Sequence, residues 1–283
     1  MNLNLYNLHT HTRFCDGTGD PEDYVKAAIE KGFHTLGFSG HAPVPFKNSF
    51  AIKDDNELQN YCQTIRELQQ KYHDRISICL ALEIDYIDGV SRDFSEFIRD
   101  CRLDYTIGSV HLVKNGNDQR LWFIDGARDE TYTEGFVNIF GGDARKAVTA
   151  YYQQLYRMVT EQKPDIIGHL DKIKMHNQDR YFREEEPWYR DLVMELLENI
   201  EHESVIIEVN TRGIYKKRSN DLYPGKWILQ IIKEKGLPVT LSTDAHKPEE
   251  IDGYFAEALE ILRNIGFKNL VYFHAGSCEE QAI

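Results

Sequence analysis

The sequence predicts a parallel α/β barrel, and three observations carry that prediction. A strand-like segment followed by a helix recurs about seven times, the pattern of parallel α/β folds. Residue types that bind metals sit at or just after the C-terminal end of nearly every predicted strand. The chain has 283 residues, a length that a barrel commonly uses as one domain. Alternation alone would fit an open, doubly wound sheet equally well, but there the polar groups would gather at one switch point. Spread over all the strands, they converge only if the sheet closes, because a barrel collects its site at that rim.

The first predicted strand covers residues 3–8 and leads into His9-Thr10-His11, with Asp16 just beyond. Strand side chains alternate faces, so His9 and His11 project to the same side, where paired imidazoles suit a divalent metal. Asp20-Pro21-Glu22-Asp23 is a helix start, and Gly32 ends the helix that follows. Residues 34–39 read as the second strand, closing on Ser39-Gly40-His41, and 42–55, with Pro43 and Pro45, as a loop. A helix at 56–72, a strand at 76–84, a helix at 93–101 and a strand at 104–110 come next. Residues 114–145 then break the rhythm, mixing Gly116, Gly126, Gly135, Gly141 and Gly142 with Trp122, Phe123, Tyr132, Phe136 and Phe140. Such an insert is expected to be either a lid over a site or a surface excursion packed on its own aromatics. The alternation resumes with helices at 146–161, 187–202, 225–235 and 249–264, and strands at 165–168, 205–209 and 238–242. A last apolar run, 270–273, is expected to close the sheet or to pack the C-terminus.

Hydrophobic residues make up 41% and charged residues 28%, as in an ordinary soluble protein, and the whole chain reads as one barrel domain, 1–283, with the insert. A formal charge of −13 argues against a nucleic-acid footprint. No apolar run approaches membrane-spanning length, and the N-terminus lacks a basic region followed by an apolar core. The five cysteines are scattered without a CxxC pair, which fits reduced thiols in a cytoplasm. Cys15, beside Asp16, is the only one placed to be a nucleophile, and stronger chemistry surrounds it.

That chemistry is a row of candidate ligands. His41 follows the second strand, Glu83 ends the third, His111 follows the fourth and His169 the fifth. Glu208 and Asn210 end the sixth, and Asp244 and His246 follow the seventh. Ser77, Cys79, Ala81 and Glu83 share one face of their strand, with Asp85 beyond; Tyr105, Ile107, Ser109 and His111 form another such row. A carboxylate at Glu83 after Ala81-Leu82 would be costly to bury alone, so it wants a cation or a hydrogen-bond network. His34, His73, His176, His202 and His274 read as surface or capping residues.

In order and spacing, His9-Thr10-His11, Asp16, Ser39-Gly40-His41, Glu83, Gly108-Ser109-Val110-His111, Gly168-His169, Glu208-Val209-Asn210-Thr211 and Asp244-Ala245-His246 resemble the PHP (polymerase and histidinol phosphatase) family. Within it, the chain looks most like the monofunctional histidinol-phosphate phosphatases. The insert with Phe123-Ile124-Asp125-Gly126, the run Gly168 to Lys172 and the run Asn210 to Lys216 carry that likeness. The resemblance implies a distorted (β/α)7-type TIM-like barrel with three divalent metals (Zn, Fe or Mn) at the C-terminal ends of the strands. It implies His9, His11, Glu83 and Asp244 around a first metal, with Glu83 bridging to a second held also by His111 and His169. Asp16, His41 and His246 would hold a third.

The implied activity is metal-assisted hydrolysis of L-histidinol phosphate to L-histidinol and phosphate in histidine biosynthesis. Glu83, His111 and His246 would be catalytic, and no Ser or Cys nucleophile is required. The general acid is either a metal-bound water or His246. Three divalent cations outweigh Asp16, Glu83 and Asp244, so the pocket would be locally positive despite the acidic surface. For the substrate's phosphate the sequence points to Arg212 and one of Lys174 or Lys216, with Lys172 on the same rim. Glu208 and Asn210 are expected to contact substrate or to orient a metal-bound histidine. Other PHP substrates remain open, namely phosphotyrosine peptides, nucleotide 3′-phosphates or a 3′→5′ exonuclease substrate. So do an amidohydrolase-type deaminase, which also begins with His-X-His, and a metal-stabilised scaffold without turnover.

Overall fold

The computed structural model describes residues 3–116, 118–126, 128–200 and 204–283. The first half of the barrel alternates as expected: β1 (Leu5–Asn7), α1 (Pro21–Glu30), β2 (Phe33–Phe38), α2 (Asp55–Tyr72), β3 (Ser77–Asp85), α3 (Phe94–Cys101) and β4 (Tyr105–Ser109). Next come a hairpin, β5 (Leu112–Lys114) and β6 (Leu121–Phe123), then helices α4 (Asp129–Phe140) and α5 (Ala144–Arg157), the latter running into a π turn at Met158–Gln162. The second half holds β7 (Ile166–Ile167), α6 (Pro187–Ile200), β8 (Ile206–Asn210), α7 (Arg212–Tyr215), α8 (Lys226–Lys235), β9 (Val239–Ser242) and α9 (Phe255–Ile265). Residues 201 and 202, the end of the helix expected at 187–202, lie outside the described residues. Side-chain caps start several of these helices where the sequence offers an Asp: Asp54 accepts from the Glu57 amide and Asp143 from that of Lys146.

Seven strands pair in parallel in the order β1-β2-β3-β4-β7-β8-β9. The ring is nearly closed by two backbone bonds just past the strand ends. The His11 N–H donates to the Ala245 carbonyl (2.8 Å), and the Ala245 N–H donates to the His9 carbonyl (3.1 Å). The seam that closes the barrel therefore carries the first and last predicted ligand motifs on the same few residues.

The apolar run at 270–273 does not join the barrel. It lies in an antiparallel hairpin, β10 (Asn269–His274) with β11 (Ser277–Ala282), whose rings pack against barrel strands. Tyr272 stacks on Tyr6 of β1 (4.9 Å between centroids) and Phe273 on Tyr105 of β4 (4.9 Å). Both barrel tyrosines are fully or almost fully buried, and the Tyr105 hydroxyl donates to the Leu8 carbonyl, tying β4 to the exit of β1.

Two expectations need correction. The stretch 114–145 does pack on its own aromatics, but through a hairpin strand and a helix built around Trp122, which is fully buried against Tyr132, Phe136 and Phe140. Gly135 lies inside α4, where a Cβ would sit 2.4 Å from the Trp122 ring. The helix expected at 249–264 begins only at Phe255. Before it, Pro248–Glu250 is a short 3-10 turn, and Gly253 is drawn to the β8 exit by a hydrogen bond from the Thr211 hydroxyl (2.7 Å). Among the described residues no helix is long and apolar enough to cross a membrane.

Gly37 on β2 is the tightest point of the interior. A Cβ there would lie 1.9 Å from the Tyr105 hydroxyl and 3.1 Å from the Leu8 backbone. Gly37→Ala is expected to destabilise the protein by about 1–3 kcal/mol in denaturant titration, because overpacking must displace a buried ring. Adding Tyr105→Phe should make the double variant lose less than the sum of the single losses. Strict additivity would contradict the clash.

Candidate metal centre

One carboxylate gathers most of the site. Glu83, at the end of β3, is 1% exposed. Its Oε2 lies 3.2 Å from His9 Nε2, 3.3 Å from His11 Nε2 and 3.2 Å from His41 Nδ1. Its Oε1 lies 3.0 Å from His169 Nε2 and 3.5 Å from His111 Nε2, and accepts from the Ser109 hydroxyl at 2.6 Å. Five imidazoles from four strand exits, those of β1, β2, β4 and β7, thus meet on one side chain. The backbone makes this possible: the Ala42 N–H donates to the Glu83 carbonyl (2.8 Å), pinning the His41 segment beside β3.

Two further carboxylates extend the cluster. Asp244 Oδ1 lies 3.5 Å from His11 Nε2 and 3.3 Å from His246 Nδ1. Asp244 holds a left-handed backbone (φ 51°), a strained conformation of the kind that persists at functional sites when the surroundings enforce it. Asp16 lies 3.5 Å from His11 Nδ1, 3.8 Å from His41 Nε2 and 3.2 Å from His246 Nε2. The ligand atoms fall into three compact sets: His9, His11 and Asp244; His41, Glu83 and His111; and His11, Asp16, His41 and His246. Eight of the nine expected ligands fall in these sets, His11 and His41 in two each, and the ninth, His169, adjoins them through Glu83 and His111 (3.0 Å each).

The residues fit divalent metals. His9 Nε2, His11 Nε2, His41 Nδ1 and His169 Nδ1 are buried without a hydrogen-bond partner, a costly condition unless a cation is bound nearby. His111 Nε2 and His169 Nε2 approach to 3.0 Å, so each is aimed at the same space. The opposite nitrogens are already engaged: His9 Nδ1 by Glu208 (2.6 Å) and His111 Nδ1 by Asp85 (2.9 Å), leaving Nε2 of each free to coordinate. A set of imidazole and carboxylate donors is compatible with Zn, Fe and Mn.

Burial and neighbouring charges shift the ligand histidines in different directions: His11, His41 and His169 are pushed down, chiefly by burial, and His9 and His111 are raised. Burial opposes charge on His9, yet Glu208, Glu83 and Asp244 hold it well above the usual histidine range. Burial likewise opposes charge on His111, which Asp85, Asp125 and Glu83 nevertheless push up to about 10. Against burial, the surrounding histidines keep Glu83 ionised, well below the usual carboxylate range. Such a site competes for protons and for divalent cations on the same atoms. Cys15 has no part in this. Burial, and then Asp16, pushes its thiol up to about 12, so it is neither thiolate ligand nor ready nucleophile.

Above the cluster opens a cleft of about 360 Å³, within the range of small-molecule sites. Arg212, Lys172 and Lys216 line one side, Phe50 and Phe123 another. Of the residues expected to meet phosphate, Arg212 is in place, its guanidinium donating to the Asp244 carbonyl (2.7 Å). Lys216 reaches the cleft but pairs with Glu250 (2.7 Å). Lys174 is turned away: its ammonium pairs with Asp171 (2.7 Å) and Glu184 (3.5 Å) outside this cleft. The group that does line it is Lys172, with Nζ 3.6 Å from both Asp125 and Asp244. The two lysines belong to one 3-10 turn, in which residues two apart point different ways.

Glu208 and Asn210 lie behind His9, His169 and Asp244 and do not line the cleft. Glu208 holds His9 and accepts from the His169 N–H (2.8 Å), while the Asn210 amide donates to Glu208 (3.1 Å) and Asp244 (3.3 Å). Three contributors had no assigned role from sequence: Asp85, Asp125 and Phe50. Only Asp85 had a usable signal, since it lies two residues after Glu83 on the same strand face. Glu208→Gln is expected to lower metal affinity about 10–100-fold in chelator competition, because His9 loses its ionic partner. Unchanged retention against the chelator would remove that role.

Comparison with known proteins agrees with this geometry. The family model described as PHP domain matches residues 7–212. The chain is 29% identical over 269 residues to the histidinol-phosphatase of Bacillus subtilis, covering 88% of this chain and 96% of that one. It is 23% identical to the histidinol-phosphatase of Saccharomyces cerevisiae, over 86% and 83% of the two chains. Among solved structures, the hisK chain of Listeria monocytogenes superposes with a TM-score of 0.78 at 24% identity, covering 89% of this chain and 99% of that one. The histidinol phosphate phosphatase of Lactococcus lactis, solved with Zn, L-histidinol and phosphate, gives a TM-score of 0.69 at 24% identity over 98% and 100%. With most of its length matched by that family model, this chain belongs to the PHP domain family.

Proposed function

We propose that this chain is a metal-dependent histidinol-phosphatase, hydrolysing L-histidinol phosphate to L-histidinol and phosphate. The observation that carries the reading is the convergence of five imidazoles on Glu83 directly below a cleft with a cationic side. Support comes also from the relatives, which share the name and match over most of both chains. Bound divalent ions would supply an electrophile for the phosphoryl oxygens and a water of lowered pKa.

The chain's own residues do the rest. Glu208 and Asp85 fix the ring orientation of His9 and His111, and Asn210 braces Asp244. Arg212 and Lys172 present fixed positive charge to the non-bridging oxygens, where negative charge builds in the transition state. His246 has both ring nitrogens facing carboxylates, Asp16 at 3.2 Å and Asp244 at 3.3 Å, which suits holding a metal better than donating a proton. The Ser109 hydroxyl is spent on Glu83, and the Cys15 thiol is protonated, so neither is a nucleophile. Direct attack by water follows, with no phosphoenzyme.

EDTA should abolish turnover of L-histidinol phosphate, and Zn, Mn or Fe should restore it; full activity in metal-free protein would sink the reading. In parallel assays, phosphotyrosine peptide and a nucleotide 3′-phosphate should be much poorer substrates than L-histidinol phosphate. Arg212→Ala should lower kcat/KM by about 10²–10³-fold, the usual cost of removing one preorganised donor to developing charge. A loss below about threefold would assign the phosphate to other groups.

A further inference from the structure

The barrel is closed by more than the two backbone bonds past the strand ends. Among the described residues β1 and β9 stand at opposite ends of the strand order, with no ladder between them. In a parallel ladder the alternate N–H groups of Leu241, Thr243 and Ala245 would all donate to carbonyls of the neighbouring strand. Ala245 does so, at His9 (3.1 Å). The Leu241 N–H instead donates to the Tyr6 hydroxyl (3.2 Å), and the Thr243 N–H to Asn7 Oδ1 (3.0 Å). Side chains of β1 thus supply two of these three rungs.

Asn7 is the rung that reaches the site. It is fully buried, and the Thr243 N–H, a donor, fixes its carboxamide with Oδ1 on that side. Nδ2 then faces three acceptors: the Thr243 hydroxyl (2.9 Å), the Thr10 hydroxyl (3.2 Å) and the His9 carbonyl (3.3 Å). Thr243 is held in turn, its hydroxyl donating to the Ile251 carbonyl (3.3 Å) and its carbonyl accepting from the Tyr215 hydroxyl (2.8 Å). One amide therefore spans from His9-Thr10-His11 to the residue before Asp244, where the backbone turns left-handed. The Tyr6 hydroxyl, lower on the seam, meets Thr240 (3.4 Å) and Leu241 instead.

We propose that Asn7 is a positioning residue for the metal centre, fixing the spacing between His9 and His11 at one strand exit and Asp244 at the other. Those three residues form one ligand set, so a slip between the two exits changes the coordination geometry directly. This rests on the reading of that set as a divalent-metal site. Asn7 acts through its neighbours and is no ligand, because both ends of its amide are bonded within the seam. An apolar side chain in its place would leave the buried Thr243 N–H unpaired and the two exits free to shift.

Chelator competition and the visible spectrum of Co(II)-loaded protein test the role without turnover. Asn7→Leu should weaken Co(II) retention about 10–100-fold and change the cobalt absorption bands, because the ligand geometry relaxes. Thr243→Val keeps the seam N–H and removes only the hydroxyl that Asn7 meets, and it should act in the same direction to a smaller degree. Where Asn7→Leu fails to fold, the Thr243→Val spectrum decides. Tyr6→Phe breaks the neighbouring rung and is the structural control. It should lower the midpoint of denaturant unfolding yet leave the spectrum unchanged and Co(II) retention within about twofold of wild type. An unchanged cobalt spectrum in Asn7→Leu and Thr243→Val, or equal losses of retention in all three variants, would overturn the positioning role. Wild-type protein that retains no Co(II) would instead overturn the metal reading beneath it.

Discussion

The buried Glu83 carboxylate is the constraint on which the rest of this structure depends. Removing an ionised carboxylate from water costs several kcal/mol even after relaxation, and here the groups that offset it are histidines rather than a lysine or arginine. The groups within reach are imidazoles and the Ser109 hydroxyl. Those imidazoles in turn are buried, several with a nitrogen that has no partner. Burial and donor geometry together make these atoms a fitting place for divalent cations, in competition with protons.

The barrel explains how so many donors reach one point. Parallel strands all end at the same rim, and the two backbone bonds between the β1 exit and Ala245 bring the two ends of the row into contact. A layer of carboxylates behind the histidines sets their orientation, Glu208 for His9 and Asp85 for His111. Lys172 and Arg212 lie beside Asp244 and line the cleft, where the same side chains that offset buried acid can also face a phosphate. Two excursions outside the strand-helix repeat then shape the mouth.

Much of this was legible in the sequence, for a physical reason. His9, His11, Glu83, His111, His169 and Asp244 are polar residues at the ends of apolar strands, and strand periodicity makes their common face readable. What was hidden depends on register and turn direction. Asp85 meets His111 only because β3 pairs with β4 so that Asp85 lies opposite Ser109. Lys172 rather than Lys174 enters the cleft because of one 3-10 turn. Gly135 had no readable role, and in the folded chain it leaves the space that Trp122 fills. Phe50 and Phe123 are more than seventy residues apart, on segments without a clear period, and only the folded chain brings them together.

The central claim is that Glu83 links the ligand sets into one multi-metal centre, and metal analysis of wild type against Glu83→Gln tests it most directly. The three ligand sets predict close to three divalent ions per wild-type chain. In Glu83→Gln, the set of His11, Asp16, His41 and His246 should keep its ion while the others are lost, with an unchanged far-UV circular dichroism spectrum. A wild-type content near one ion per chain, or a full complement retained by Glu83→Gln, would contradict the account.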